Sequence, residues 1–127
     1  MNIRAERVAG EIQKVLSEPI AELARENKAG IATVTSVRMS PDLQIAYVYV
    51  SVYGGKISPQ AFMNIIETVK PELRQLVGSK VRLRLTPELR FFYDDTFDKI
   101  ERIEQLLKEA KDSNKSVDEN NKSVDEQ

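Results

Sequence analysis

The spacing of apolar residues predicts a helix at the start of the chain, followed by a β-hairpin. Within residues 3–26, apolar side chains recur every three or four positions from Val8 to Leu23, which is the helical period. Residues 31–40 and 43–55 are instead rich in β-branched and aromatic side chains, and a Ser-Pro-Asp turn separates them. The short connection predicts that these two strands pair antiparallel.

The next part of the pattern predicts a helix that breaks and resumes. Ser58 is a favourable capping residue, and Pro59 suits the first helical position. Lys70-Pro71 then interrupts the helix, because the residue before a proline is pushed out of helical geometry. Gly78 is expected to end the second part.

Residues 80–95 are expected to form the third strand, with apolar side chains from Val81 to Phe91 on one side. Arg82 and Arg84 occupy the other side. Pro87 donates no ladder hydrogen bond, which predicts an edge position or a bulge. Because a helical crossover precedes this strand, it can lie parallel to one strand of the hairpin.

Two aspartates precede a final amphipathic helix. Adjacent residues on a strand point to opposite faces, so Asp94 and Asp95 do not suit a metal or acid–base pair. We expect them to cap the helix, whose positive end favours acidic residues. The apolar residues of this helix are expected to face inward: Phe97, Ile100, Ile103, Leu106 and Leu107.

These elements predict an α+β fold, a three-stranded mixed sheet with helices packed on one face. We expect this domain to occupy residues 1–111. Residues 112–127 contain the hexapeptide Asn-Lys-Ser-Val-Asp-Glu twice. Such a polar, repetitive stretch buries too little surface to offset its ordering entropy, so it is predicted to be a disordered acidic tail.

Composition limits the chemistry. The chain contains neither cysteine nor histidine, which removes the commonest metal ligands and the commonest general base. We expect no metal, no cofactor and no enzymatic activity. No apolar run approaches the ~20 residues that span a bilayer, and the charged opening residues do not suit a signal peptide. A cytoplasmic protein without a membrane partner is therefore expected.

The charges are unevenly distributed along the chain. Residues 1–93 carry 13 Lys and Arg against 9 Asp and Glu, whereas residues 94–127 carry 6 against 11. The first part is therefore mildly basic and the second acidic, a split that permits nucleic-acid binding without requiring it.

The arginines of the third strand have two interpretations. Arg82 and Arg84 could belong to an ordinary solvated strand face. Alternatively, together with Arg90 they could share an open sheet surface with Tyr47 and Tyr49. Cations interleaved with aromatic rings suit single-stranded or irregular RNA, through phosphate contacts and base stacking.

Other cations are candidate phosphate ligands at helix ends, although ordinary surface charge also explains them. The free N–H groups and positive dipole end after the helix break could receive an anion. The complete set of predicted RNA contacts is Arg4, Arg7, Lys70, Arg74, Lys80, Arg82 and Arg84.

Two stretches, MSPDLQIAYVYVSVYG and VRLRLTPELRFFYDDT, give the chain a resemblance to bacterial ribosome-binding factor A, from about Arg4 to Ile103. The resemblance implies a type II KH-like fold with a helix–kink–helix before the last strand. In this family the break usually carries an Ala-x-Gly motif. Those positions fall here on Val69, Lys70 and Pro71, so a proline stands where the family has glycine.

The resemblance also implies a function. Residues 1–111 would be a ribosome-binding domain that acts as a monomer on the small ribosomal subunit and its rRNA. It would assist late maturation and processing near the 5′-terminal rRNA helix, and support growth in the cold. The alternative is a protein-interaction module that docks through the sheet edge or the final helix without contacting RNA.

Overall fold

The computed structural model describes the backbone of residues 3–121, and the side chains in that range except those of Phe97 and residues 113–121. The elements in this range are α1 (Ile3–Glu26), β1 (Gly30–Met39), β2 (Ile45–Gly54), α2 (Pro59–Thr68), α3 (Lys70–Lys80), β3 (Glu88–Tyr93) and α4 (Thr96–Asn121). The predicted element order is confirmed.

The three strands form one mixed sheet in the order β1-β2-β3. β1 pairs antiparallel with β2, whereas β2 and β3 run parallel. The parallel pair requires a crossover, which α2 and α3 provide. The predicted α+β fold with a mixed three-stranded sheet is therefore confirmed.

The buried core lies between one face of the sheet and the helices α1, α2 and α3. Alternate residues of β2 point into it, as the pleat of a strand requires. The most buried side chains include Ile12, Leu16, Ile20, Val48, Val50, Phe62, Ile66, Val77 and Leu89. The contacts divide the chain into two units with a boundary between Asp94 and Asp95, and this core belongs to the first.

A β-bulge at Thr35 changes which side chains of β1 face the core. The register with β2 shifts between Val34 and Ser36, so one residue is inserted there. Val34 is buried before the bulge and Val37 is buried after it, although they are an odd number of positions apart. Arg38 is therefore turned to the opposite, open face of the sheet.

Two sequence expectations before β3 are wrong. α3 does not end at Gly78 but continues to Lys80. Gly78 instead leaves room for Thr86, whose Oγ1 would lie 2.7 Å from an added Cβ. The third strand does not begin at residue 80, because residues 81–87 are irregular and β3 starts at Glu88.

β3 starts at the first residue after Pro87, because proline cannot donate a ladder hydrogen bond. Pro87 has no N–H to donate, and the following residue supplies the bond, from the Glu88 N–H to the Gln44 carbonyl at 2.8 Å. Leu85, which was predicted to face inward, is 71% exposed. Because residues 81–87 do not pair with a neighbouring strand, their side chains do not keep the regular inward and outward alternation of a strand.

The final helix also differs from expectation. The side chains of Ile100, Ile103, Leu106 and Leu107 are 44–65% exposed, so their predicted burial is not observed. The Phe97 side chain lies outside the described ones.

The helical backbone of α4 continues to Asn121, past the predicted domain boundary at residue 111. Residues 122–127 lie outside the described range, so the boundary and the disordered tail stay predictions.

The two aspartates before α4 make separate contacts. Asp94 Oδ2 accepts a hydrogen bond from the Thr35 hydroxyl at 2.6 Å, which ties the end of β3 to the bulge of β1. The Asp95 carboxylate lies 3.5 Å from the ammonium of Lys99, one turn into the helix. Their predicted capping role stays a prediction.

Candidate nucleic-acid interface

Four of the predicted contacts come together at one edge of the first unit. Arg4 and Arg7 lie in the first turns of α1, and Arg82 and Arg84 lie in the segment before β3. Arg4, Arg7 and Arg82 line one surface depression. Arg4 and Arg84 line a neighbouring one. We call these four residues the basic edge.

The segment 81–87 displays its arginines because its other residues are anchored. Val81 and Pro87 are buried, and Leu83 is half-buried against the core. Arg82 and Arg84 alternate with these anchors and point to solvent. The alternation read from the sequence therefore places the two arginines outward, although no sheet ladder enforces it.

Arg74, another predicted phosphate ligand, is exposed, but its guanidinium donates hydrogen bonds to the protein's own backbone. Its Nη2 donates to the Thr86 carbonyl at 2.8 Å, and its Nε donates to the Pro87 carbonyl at 3.1 Å. A planar guanidinium satisfies both acceptors at once. Arg74 thus fixes the end of the segment that carries Arg82 and Arg84, and is a positioning residue for the basic edge.

The basic edge has an excess of positive charge. Among the described residues none of its four guanidinium groups forms an ion pair. Two carboxylates line the same depressions, those of Glu11 and Asp42. The Ser40 hydroxyl donates to Asp42 Oδ1 at 2.7 Å and, with the Gln44 N–H at 3.2 Å, lowers the pKa of Asp42. Asp42 is therefore committed to the hairpin turn.

The helix break differs from the basic edge. A single residue, Val69, separates α2 from α3, one position before the predicted Lys70-Pro71. The Lys70 ammonium lies 2.7 Å from the Glu67 carboxylate. Pro71 offers no N–H, and Glu72 adds a negative charge to the first turn. Both carboxylates oppose an anion at this helix start, so its potential is weaker than a bare helix end provides.

Lys80, the last predicted contact, is the final residue of α3 and is exposed. A cation there interacts favourably with the negative end of the helix. The assignment of RNA contacts to Lys80, Lys70 and Arg74 stays a prediction, as it does for the basic edge.

The open face of the sheet carries an array of aromatic rings. Phe92 lies between two tyrosines, with ring centroids 5.4 Å from Tyr49 and 6.2 Å from Tyr47. The ring planes are inclined by 27–29°, which is a stacked arrangement. Arg38 and Arg90 flank Tyr47 on the neighbouring strands. We call these five residues the aromatic platform.

The sequence prediction for this face was partly wrong. Tyr47, Tyr49 and Arg90 share it as expected, but Arg82 and Arg84 do not lie on the sheet at all. Arg38 and Phe92 were overlooked. The switch in spacing of the apolar residues in β1 was the available evidence for Arg38, since it shows that a residue is inserted.

Among the described side chains, no group of three or more acidic residues is placed to hold a metal ion. No helix in the described part of the chain is both long enough and apolar enough to span a membrane.

Comparison with known proteins gives a family match over most of the chain. A family described as ribosome-binding factor A matches residues 4–107. The crystal structure of ribosome-binding factor A from Thermus thermophilus is 21% identical with a TM-score of 0.60, covering 70% of this chain and 94% of that one. Structures of ribosome-binding factor A have a KH-like fold, so the similarity confirms the predicted fold class.

Two further structures are similar. The solution structure of a Thermotoga maritima protein, described as a putative ribosome binding factor A, is 27% identical with a TM-score of 0.54, over 72% of this chain and 90% of that one. A homology model of the Thermus thermophilus ribosome binding factor A, as fitted into the cryo-EM map of a 30S–RbfA complex, is 23% identical with a TM-score of 0.50. It covers 66% of this chain and 92% of that one.

Proposed function

This chain belongs to the ribosome-binding factor A family, and from that premise we propose that it binds the free small ribosomal subunit through its rRNA. A homology model of the Thermus thermophilus relative was fitted into the cryo-EM map of a 30S–RbfA complex, which supports the same partner here. The protein acts in the cytoplasm as a monomeric binding factor, without catalysis.

We also propose a finer role, on the basis of the family resemblance. The protein assists late maturation of the small subunit and processing of its rRNA near the 5′-terminal helix, and it contributes to growth in the cold. A factor of this kind must bind the immature subunit and later leave it. Contacts dominated by phosphate charge suit that task, because they form quickly and do not depend on a unique sequence.

The observation that carries the proposal is the convergence of the four arginines of the basic edge. Arg4 and Arg7 are separated by more than seventy positions from Arg82 and Arg84, and the fold brings them to adjoining depressions. Their donors are free of ion pairs in the part of the chain that the structure describes. Guanidinium groups so placed match the geometry of phosphate oxygens.

The test is sedimentation of purified small subunits with the protein at several salt concentrations. Arg82→Gln combined with Arg84→Gln should reduce co-sedimentation by on the order of tenfold and flatten the salt dependence. The matched control, Lys14→Gln with Lys56→Gln, removes the same charge outside the basic edge, and like the test variant it breaks no ion pair among the described residues. Equal affinities for the two double variants would contradict the assignment of the basic edge.

The alternative function, docking onto a protein, has one specific observation in its favour. α4 exposes an apolar stripe formed by Ile100, Ile103 and Leu107, a pattern typical of helices that bind a partner. It predicts a complex that survives ribonuclease and varies little with salt. The docking function would be favoured if Ile103→Asp abolishes subunit binding while the basic-edge variants bind subunits normally.

A further inference from the structure

We propose that the aromatic platform on the open sheet face is a second RNA-binding site, which stacks unpaired bases and holds their phosphates through Arg38. This inference rests on the proposed function for the class of partner. It concerns a different surface from the basic edge, and a different part of the RNA.

The rings are already arranged as a stacking surface. Phe92 is 41% exposed between Tyr47 and Tyr49, which are half-buried. Aromatic pairs of this kind also stabilise neighbouring strands. Three adjacent rings on the outer side of a sheet additionally offer contiguous apolar area to a flat ligand. RNA bases that are not paired provide such ligands, and the sheets of common RNA-binding domains stack them on aromatic side chains.

The charge beside the rings indicates which flat ligand fits. Arg38 is exposed and makes no hydrogen bond or ion pair among the described residues. Arg90, on the other side of Tyr47, donates from Nε to Glu88 Oε2 at 2.7 Å and is partly neutralised. Arg38 is therefore the cation that remains for an anionic group, and a nucleotide presents a phosphate next to its base.

The bulge at Thr35 is what makes this arrangement possible. Without the inserted residue, Arg38 would share the buried side with Val34, where an unpaired guanidinium is strongly unfavourable. Bulges commonly re-aim side chains at functional sites. In β1 the bulge also brings the Thr35 hydroxyl within 2.6 Å of Asp94, so one local irregularity positions both features.

Asp94 gives the platform a direction. It follows Phe92 by two residues along β3, at the end away from Arg38 and Arg90. The carboxylate repels phosphate, whereas the two arginines attract it. The RNA backbone therefore runs along the end of the platform that carries Arg38, with the bases directed over the rings.

The probe is a mixed-sequence RNA octamer with a central 2-aminopurine, whose fluorescence falls when it stacks. Titration with the full chain should quench it, and the same octamer in a duplex should bind more weakly. Tyr49→Leu with Phe92→Leu should lower the affinity for the single strand by roughly tenfold and abolish the quenching. The matched control is Tyr53→Leu, which removes an exposed ring from the same strand outside the stack.

A second variant tests the platform without altering its packing. Arg38→Gln should preserve the quenching and reduce the salt dependence of binding by about 0.7 in slope, the value of one phosphate contact on a single strand. The proposal is overturned if both variants bind the octamer as the unaltered protein does, or if duplex RNA binds equally well. The face would instead be assigned to a protein partner if the Tyr49→Leu, Phe92→Leu variant binds the octamer normally but loses a complex that resists ribonuclease.

The two RNA proposals can fail separately. The octamer assay contains no ribosome, so it gives the same answer whether or not the chain binds small subunits. Conversely, the basic-edge variants leave every residue of the aromatic platform in place. Loss of subunit binding in Arg82→Gln with Arg84→Gln, with normal octamer quenching, would support both.

Discussion

The basic edge and the helix break both carry cations that the sequence predicts as RNA contacts. They differ in whether those cations already have partners within the protein. At the basic edge, Arg82 and Arg84 point to solvent, and neither forms an ion pair with any described residue. At the break, Lys70 is paired with Glu67, and Arg74 donates to two backbone carbonyls.

For Arg74, the availability of the cation depends on acceptors that lie outside its own helix. Arg74 and Thr86 are twelve residues apart, and only the return of the chain along α3 brings them together. The two sites are linked, since the contacts of Arg74 hold the segment that displays Arg84. A residue can therefore support RNA binding without contacting RNA.

The largest expected effect concerns stability. Arg74→Ala should lower the free energy of unfolding by roughly 1–2 kcal/mol, because two carbonyls lose a charged donor. Arg84→Ala, which breaks no hydrogen bond or ion pair among the described residues, should change the free energy of unfolding by less than about 0.5 kcal/mol. Urea denaturation followed by circular dichroism measures both. Equal losses for the two variants would remove the distinction between Arg74, which donates to two carbonyls, and Arg84, which does not.

A smaller effect concerns binding at the two sites. Arg84→Gln should flatten the salt dependence of rRNA-fragment binding by about 0.7 in slope, as expected for one lost phosphate contact. Lys70→Gln should reduce the slope by less than half of that amount, because Glu67 already neutralises the Lys70 ammonium. Filter binding across a salt series measures which of the two variants changes the slope more. A larger change for Lys70→Gln would restore the helix break as a phosphate site.

The smallest effect comes from Asp42, one of the two carboxylates that line the depressions of the basic edge. Hydrogen bonding from Ser40 holds the pKa of Asp42 below its usual value, so the folded state binds this proton less readily than the unfolded chain. The resulting stabilisation is present above the unfolded pKa and disappears as pH falls through the folded one.

Asp42→Asn should therefore flatten the pH dependence of stability below about pH 4, near the unfolded value for aspartate. Thermal unfolding between about pH 2 and pH 6 on both proteins measures it, within the range in which each refolds. The same variant should slightly raise RNA affinity, since it removes a negative charge from the depression lined by Arg4 and Arg84. An unchanged pH profile would show that the turn does not depend on this carboxylate.

The fold was largely predictable because its evidence is local. The helical period of α1, the alternation of β2 and the Ser58-Pro59 start of α2 each depend on neighbours within a few residues. The third strand was placed too early because Arg82 and Arg84 alternate with apolar residues there. That alternation reports which side chains are anchored, and here the anchors belong to an irregular segment with buried Val81 and Pro87.

The candidate sites were less predictable, because they depend on register and on distant partners. The amino-acid sequence by itself determined the order of the elements, the apolar residues of the core and the outward position of two arginines, since periodicity is a local property. Only the tertiary structure decided that Arg74 is occupied and that Arg38 joins Tyr47 on the open face. Hydrogen-bond partners and strand pairing arise from residues that meet only when the chain is folded.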